Sequence, residues 1–364
     1  MANLIDYLNW RGDLTFDKVP FNDIDNLILA EISYVNLTDI VPSVKSGESV
    51  TLEEASCIFF EMNDEEELKN SKSFIWQAPF LMREAAKTER FRNLLLSNYV
   101  DNIDEIIEMQ FGVFHIKLDD KNTYIAFRGT DDSLVGWKED FNMSFISPVP
   151  SQKGAVEYMN KTADKLRGNI YVGGHSKGGN LAIYSSVYCH NKIKRKIKCI
   201  YNNDGPGFDK SVIESEEYLQ MKPKIKSIVP QHSIVGMLLE HDDDYIIVES
   251  SEQGIMQHDA MSWQVMGAGF KKASKLSSAS IRLNKALSRW INSIDKEQRS
   301  EFVDTLFNII TASGAKYLSE INSDIFKSAK SVFMQYTSLD RESRNMIRRL
   351  LISLTGEIGK TRHK

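Results

Sequence analysis

The 364-residue chain reads as an α/β protein: a mainly parallel sheet flanked by helices, with an N-terminal helical segment and a C-terminal helical extension. Three observations predict this class. Short β-rich runs alternate with longer helix-like stretches between residues 106 and 268, as in a sheet covered on both faces. Up to about residue 105 the apolar residues recur mostly at helical spacing. After about Ala268 the strand signals stop and amphipathic helical stripes follow one another. We therefore expect one domain over 1–268, helical in 1–105 with its core in 106–268, and an extension over 269–364.

Each element has its own signal. Asn22 to Ser33 opens on capping residues and carries a helical stripe. Glu61 to Lys69 is acid-rich surface. Phe80 to Tyr99 gives a second helical pattern, with Phe91, Leu94 and Leu95 on one face. Phe111 to Leu118 and Thr123 to Arg128 alternate around an Asp-Asp-Lys-Asn turn, which is a hairpin signal. A helix is expected near Lys153 to Leu166 and another from about Gly178. Strands are expected at Asn169 to Gly173, Lys198 to Asn202, Lys226 to Pro230 and Tyr245 to Ser250. Beyond them, stripes in Ile281 to Ile294, Phe302 to Ile310, Ile325 to Tyr336 and Met346 to Leu354 read as helices.

Composition narrows the function classes. With 42% hydrophobic and 26% charged residues, the chain resembles soluble globular proteins. Its cysteines, Cys57, Cys189 and Cys199, are odd in number and lack CxxC spacing, against a disulfide framework or a cysteine zinc site. The N-terminus has neither a basic start nor an apolar run of signal length, and no stretch approaches about 18 apolar residues. A cytoplasmic protein is the expectation. From Val265 onward there are 18 Lys and Arg against 9 Asp and Glu, whereas the preceding part has 27 against 41. The extension is thus suited to an anionic lipid surface, as a peripheral contact, or to the acidic body of the same chain. Nucleic-acid binding is not expected, since the basic helices lack interleaved aromatics and no known module is visible.

The most specific motif is Gly174-His175-Ser176-Lys177-Gly178, within YVGGHSKGGNLA. A β-rich run leads in and a helix-prone run leads out, the setting of a nucleophile elbow. Glycines two residues either side of the serine relieve that sharp turn, and the following helix N-terminus favours developing negative charge. Neither phosphate-loop pattern, G-x-x-x-x-G-K-[ST] nor G-x-G-x-x-G, is present. Ser176 is the candidate nucleophile, and the fold implied is that of the α/β-hydrolases.

Tyr124 to Asp140 (YIAFRGTDDSLVGWKED) resembles the first signature of the fungal-type class 3 lipases: Phe127, Arg128, Gly129, Thr130, then Trp137 and Asp140. The elbow is similar to that family's second signature, and the resemblance covers roughly residues 110 to 265. The whole chain, including DYLNWRGDLTF and QHDAMSWQV, further resembles a bacterial family of uncharacterised hydrolases called Mbeg-like. The lipase resemblance implies that Thr130 supplies one oxyanion donor; the amide of Lys177, after the nucleophile, supplies the second. Arg128, Trp137 and Asp140 are expected to brace the loop.

In this fold the acid and then the histidine follow the serine. His258 lies in a short loop after the last strand and is the expected base, with His232 as its rival. His241 precedes that strand, His190 ends the helix after the elbow, and His363 lies in the tail. The lipase acid would fall at Ser233, which cannot orient an imidazolium as a carboxylate does. Asp204, at the end of the strand one earlier, is the candidate instead. Asp259 is an alternative, and Asp242, Asp243 and Asp244 read as a solvated turn. Ile234, Val235, Met237, Leu238 and Leu239 either line an acyl pocket or form a buried helix. The expected chemistry is hydrolysis of carboxylic esters, small-molecule or lipid, through an acyl-enzyme, with no metal or cofactor. Two other readings are a non-catalytic binding module on the same fold, motivated by Ser233, and a thioesterase or peptidase with the same triad.

Overall fold

Alternation along the central strands sends successive side chains to opposite faces of one sheet. In the computed structural model, which describes residues 1–241, 244–311, 344, 345, 348, 349 and 352, Tyr124 and Ala126 of one strand face one apolar cluster while Ile125 and Phe127 face another. Eight strands run in sequence order: β1 (Val50–Thr51), β2 (Leu95–Asp104), β3 (Met109–Lys117), β4 (Asn122–Phe127), β5 (Asn169–His175), β6 (Ile197–Asn203), β7 (Ile225–Pro230) and β8 (Tyr245–Val248). The first four pair antiparallel, with β3 and β4 forming the expected hairpin. From β4 to β8 every pairing is parallel. A two-stranded ribbon, β9 (Val265–Met266) and β10 (Gly269–Phe270), follows.

One face is covered by α1 (Leu4–Arg11), α2 (Asp23–Ile32), α3 (Leu52–Met62) and α5 (Ala78–Ala86), with the short exposed α4 (Glu65–Lys69) beside them. Asn3, Asn22 and Thr51 each close a capping box, so α1, α2 and α3 start where the sequence offers an N-cap. A buried ion pair, Arg90 to Asp25 at 2.5 Å, ties the turn after α5 to α2. The other face is covered by α7 (Pro150–Thr162) and α8 (Lys177–Tyr188), through Ala155, Met159, Leu181 and Val187. Between β4 and α7 runs α6 (Leu134–Asn142), and between β5 and β7 lie α9 (Asn191–Lys194), α10 (Lys210–Ile213) and α11 (Glu216–Met221).

The helix expected over Phe80 to Tyr99 is corrected. It stops at Ala86, and Leu95 to Asp104 is strand β2. Leu94 and Leu96 are buried in the cluster that Phe91 also enters, so the apolar triplet satisfies both periods locally. Pairing with β3 decides it, through Leu96 with Ile116 and a bulge at Asn98, whose φ is 56°. Strand content before residue 105 is thus higher than the helical spacing implied. The run from Ile234 to Leu239 does not form a buried helix; it holds a single tight turn over Val235–Met237, with Met237 buried and Ile234, Val235, Leu238 and Leu239 partly exposed.

Two helices follow the ribbon, α12 (Ser278–Asn292) and α13 (Lys296–Thr311). Ile294, Phe302, Val303 and Phe307 bury against Trp137 and Phe145, and Phe307 meets Phe141 edge to face at 5.6 Å. Lys138 of α6 joins Asp304 at 2.7 Å, and Arg299 donates to the Ser144 carbonyl at 2.6 Å. This part of the extension therefore packs on α6. Most of the stripes at Ile325 to Tyr336 and Met346 to Leu354, together with His363, Asp242 and Asp243, lie outside the described residues. Among the described residues no helix is long and apolar enough to cross a membrane.

Candidate active site

Ser176 sits between β5 and α8 with φ 55° and ψ −133°, a conformation a non-glycine residue holds only when its surroundings impose it. The turn is imposed from three sides. A Cβ on Gly174 would lie 2.3 Å from the Phe127 carbonyl, and one on Gly178 would lie 2.2 Å from the same oxygen and 2.9 Å from the Gly129 amide. The Ser176 amide donates to the Asn203 carbonyl at 2.9 Å, which pins the elbow to the end of β6. Asn203 also donates to the Gly174 carbonyl and accepts from Asn26 of α2 at 2.9 Å. Ser176 is half-buried, and its hydroxyl makes no hydrogen bond among the described residues.

Asp204 follows β6 directly and is fully buried, with φ 52°. His258 closes the tight turn Gly254–His258 after β8, and its Nδ1 lies 2.7 Å from Asp204 Oδ2. The imidazole remains 26% exposed, so one edge is open to solvent while the other is held. Asp204 and His258 are thus in direct contact. Ser233 is there too: its hydroxyl donates to Asp204 Oδ1 at 2.5 Å.

The other histidines and acids have other neighbours. His232 uses its amide to hold Gln257 Oε1 at 2.8 Å. His241 packs edge-on against Tyr245 at the start of β8, whereas His258 follows the strand. Asp259 points toward Gln77, 3.4 Å away, and caps the next turn through the Met261 amide.

Thr130 stands three residues beyond Phe127, and Phe127 pairs with Gly174 in the sheet, so Thr130 emerges at the same edge as Ser176. Its hydroxyl donates to Asp140 Oδ2 at 2.5 Å, which fixes its rotamer. Asp140 Oδ1 is buried without a partner among the described residues, and burial raises this carboxyl to about 6 against the opposing pull of Lys177. Arg128 braces a different acid from Asp140: it forms a two-pronged ion pair with Asp101 of β2. Trp137 packs into the α13 cluster.

Lys177 offers its amide as the first of α8, one of those that helix geometry leaves without an intrahelical acceptor. Its side chain is fully buried, a feature sequence reading missed. Nζ donates to the Gln110 carbonyl and to Glu139 Oε2, both at 3.0 Å. Glu139 in turn accepts from the Gln110 amide at 3.1 Å and the Ser151 amide at 2.8 Å, so one ion pair locks β3, α6, α7 and α8 together.

A second missed group lies beneath His258. His175 stacks on the His258 ring at 4.6 Å between centroids, and its Nε2 donates to the His258 carbonyl at 2.9 Å. Nδ1 then accepts from Tyr34 at 3.0 Å. Burial, then the neighbouring His258 charge, holds His175 well below its ordinary range. Burial pushes Glu31, 3.2 Å from the same Nδ1, well above the usual carboxylate range. Burial thus disfavours the charged form of both groups beneath His258. Only the histidine inside the elbow motif hinted at them in the sequence.

Fold and site together define an α/β protein whose eight-stranded, mostly parallel sheet presents a serine elbow, a histidine–aspartate contact and a threonine-bearing loop at one edge. A family model described as Mbeg1-like matches residues 85–308, and the chain belongs to that family. No functionally curated protein matches it. Among solved structures, a propeptide complex of a Rhizomucor miehei lipase deletion mutant is similar at 15% identity and TM-score 0.34, covering 50% of this chain and 70% of that one. M37 lipase is similar at 16% identity and TM-score 0.34, covering 58% of this chain and 69% of that one.

Proposed function

We propose that the chain is a serine hydrolase of the α/β-hydrolase fold that cleaves carboxylic esters, with Ser176, His258 and Asp204 as its triad. The observation that carries the reading is the 2.7 Å contact between His258 Nδ1 and the buried Asp204, at the same sheet edge as a serine held at positive φ. In this mechanism Asp204 keeps the proton on Nδ1, which leaves Nε2 free to take the Ser176 proton. The alkoxide attacks the acyl carbonyl, and the amides of Thr130 and Lys177 receive the oxyanion; one such donor lowers the barrier by roughly 3 kcal/mol. His258 then protonates the leaving alcohol, and water, activated by the same imidazole, releases the acyl group.

The substrate class in this reading is a small-molecule or lipid acyl ester. In this reading the hydrolase unit is residues 1–268, and α13, in the extension that follows, leans on the helix that carries Glu139 and Asp140. A panel of p-nitrophenyl esters of increasing acyl length tests the activity. Turnover that is lost in Ser176→Ala and His258→Ala supports the proposal; no turnover of any ester by the folded wild type contradicts it.

A further inference from the structure

We infer that Ser233 is a positioning residue for the Asp204 carboxylate and that α12 holds it in place; the inference rests on the hydrolase reading above. An ionised carboxylate is acceptor-only, and its plane is free to turn unless both oxygens are engaged. Asp204 Oδ2 faces His258, and Oδ1 accepts the Ser233 hydroxyl at 2.5 Å. Both residues are buried, at 0% and 1% exposure, so neither oxygen exchanges its partner for bulk water. The segment after β7 is shaped around this pair. The Ser233 amide donates to the Pro230 carbonyl at 2.9 Å. A Cβ on Gly236 would stand 2.4 Å from Asp204 Oδ1 and 3.0 Å from Ser233 Oγ, so a glycine there leaves the space the carboxylate fills.

The same segment is anchored from the extension. Ser280 of α12 is 4% exposed and donates its hydroxyl to the Ser233 carbonyl in a short hydrogen bond. One residue before α12 begins, the Ser277 amide donates to the Gln231 carbonyl at 2.8 Å. The position that lacks the lipase-like acid is thus given to the hydroxyl that steers the acid from the neighbouring strand, and the first turn of α12 fixes that hydroxyl's backbone. The ionisable groups facing or adjoining His258 are Asp204, His175, Asp140 and Asp259. Ser233 acts through the first of these. Without its hydroxyl, negative charge on Asp204 shifts toward Oδ2, the imidazolium gains stability, and the carboxylate plane is released.

The test is the rate of labelling by a fluorophosphonate probe as a function of pH, on the full chain, with melting curves for each variant. Ser233→Ala should label on the order of tenfold more slowly at its plateau, the rate equivalent of one charge-assisted hydrogen bond. Its acid limb should move up by as much as about one pH unit. Ser233→Thr, which keeps the hydroxyl, should recover both, and Ser280→Ala should move them in the same direction by less. A folded Ser233→Ala with the wild-type rate and limb overturns the inference, as does a slow variant whose limb is unmoved and which threonine does not rescue. If Ser233→Ala does not fold, an unmoved limb in Ser280→Ala overturns it. Wild type that does not label, or Asp204→Asn that labels like wild type, defeats the hydrolase reading itself and so is told apart from failure of Ser233 alone.

Discussion

Replacing Lys177 by methionine removes one half of a fully buried ion pair while keeping most of the side-chain volume. Glu139 would keep its two amide donors, Gln110 and Ser151, but lose the cation 3.0 Å away. Breaking a buried pair from one side costs about 3–5 kcal/mol, because the remaining charge stays out of water. Two surviving N–H donors place this case near the lower end, at about 3 kcal/mol. Glu139→Gln leaves the Lys177 ammonium with the Gln110 carbonyl and a neutral amide, and should cost about 2 kcal/mol. The double variant removes both charges, so it should be more stable than the sum of the singles by about 2 kcal/mol. Urea unfolding of the four proteins reads this directly from midpoints at constant slope. A Lys177→Met protein within about 1 kcal/mol of wild type, or strictly additive singles, would refute the reasoning.

Three further outcomes are expected. Burial lifts Asp140 to about 6, above its unfolded value near 3.9, so the folded chain holds a proton that the unfolded chain releases between those values. Its stabilising share is complete below the unfolded value and is lost as pH rises through about 6; Asp140→Asn should melt higher than wild type near pH 8, with the gap closing below about pH 4. A gap that does not change with pH would contradict this. His115 is the opposite case, lowered to about 3 by burial between Tyr158 and Thr162. Its contribution, on the order of 5 kcal/mol, is present above about pH 6.5 and is lost as pH falls toward 3, so His115→Gln should flatten the acid limb of stability measured by urea unfolding. Gly178→Ala drives a Cβ into the Phe127 carbonyl and should cost about 3 kcal/mol by thermal or urea unfolding; a neutral effect would mean that the elbow is looser than its contacts imply.

The sheet was legible because parallel strands buried on both faces write short apolar runs, and the elbow because its glycines answer to a steric demand within five residues. Strand order alone brought Asp204 to the end of β6 and His258 to the loop after β8, where they meet. Leu94 to Leu96 is a local apolar triplet that fits both periods, and only the distant partner β3 settles it. The pair Lys177–Glu139 spans 38 residues, Ser233–Asp204 spans 29 and His175–His258 spans 83. No periodicity or spacing rule reports such contacts. Ser233 illustrates the difference: as a sequence position it registers a missing carboxylate, and in the fold it is the hydroxyl that touches the carboxylate present.

The central claim is that Ser176 is activated by His258 and Asp204, and intact mass after incubation with a fluorophosphonate, followed by peptide mapping, tests it most directly. The expected result is one adduct per chain, on the peptide bearing Ser176, absent from Ser176→Ala and His258→Ala and slowed in Asp204→Asn. A folded wild-type chain that takes up no adduct, or carries it on another residue, would contradict the account.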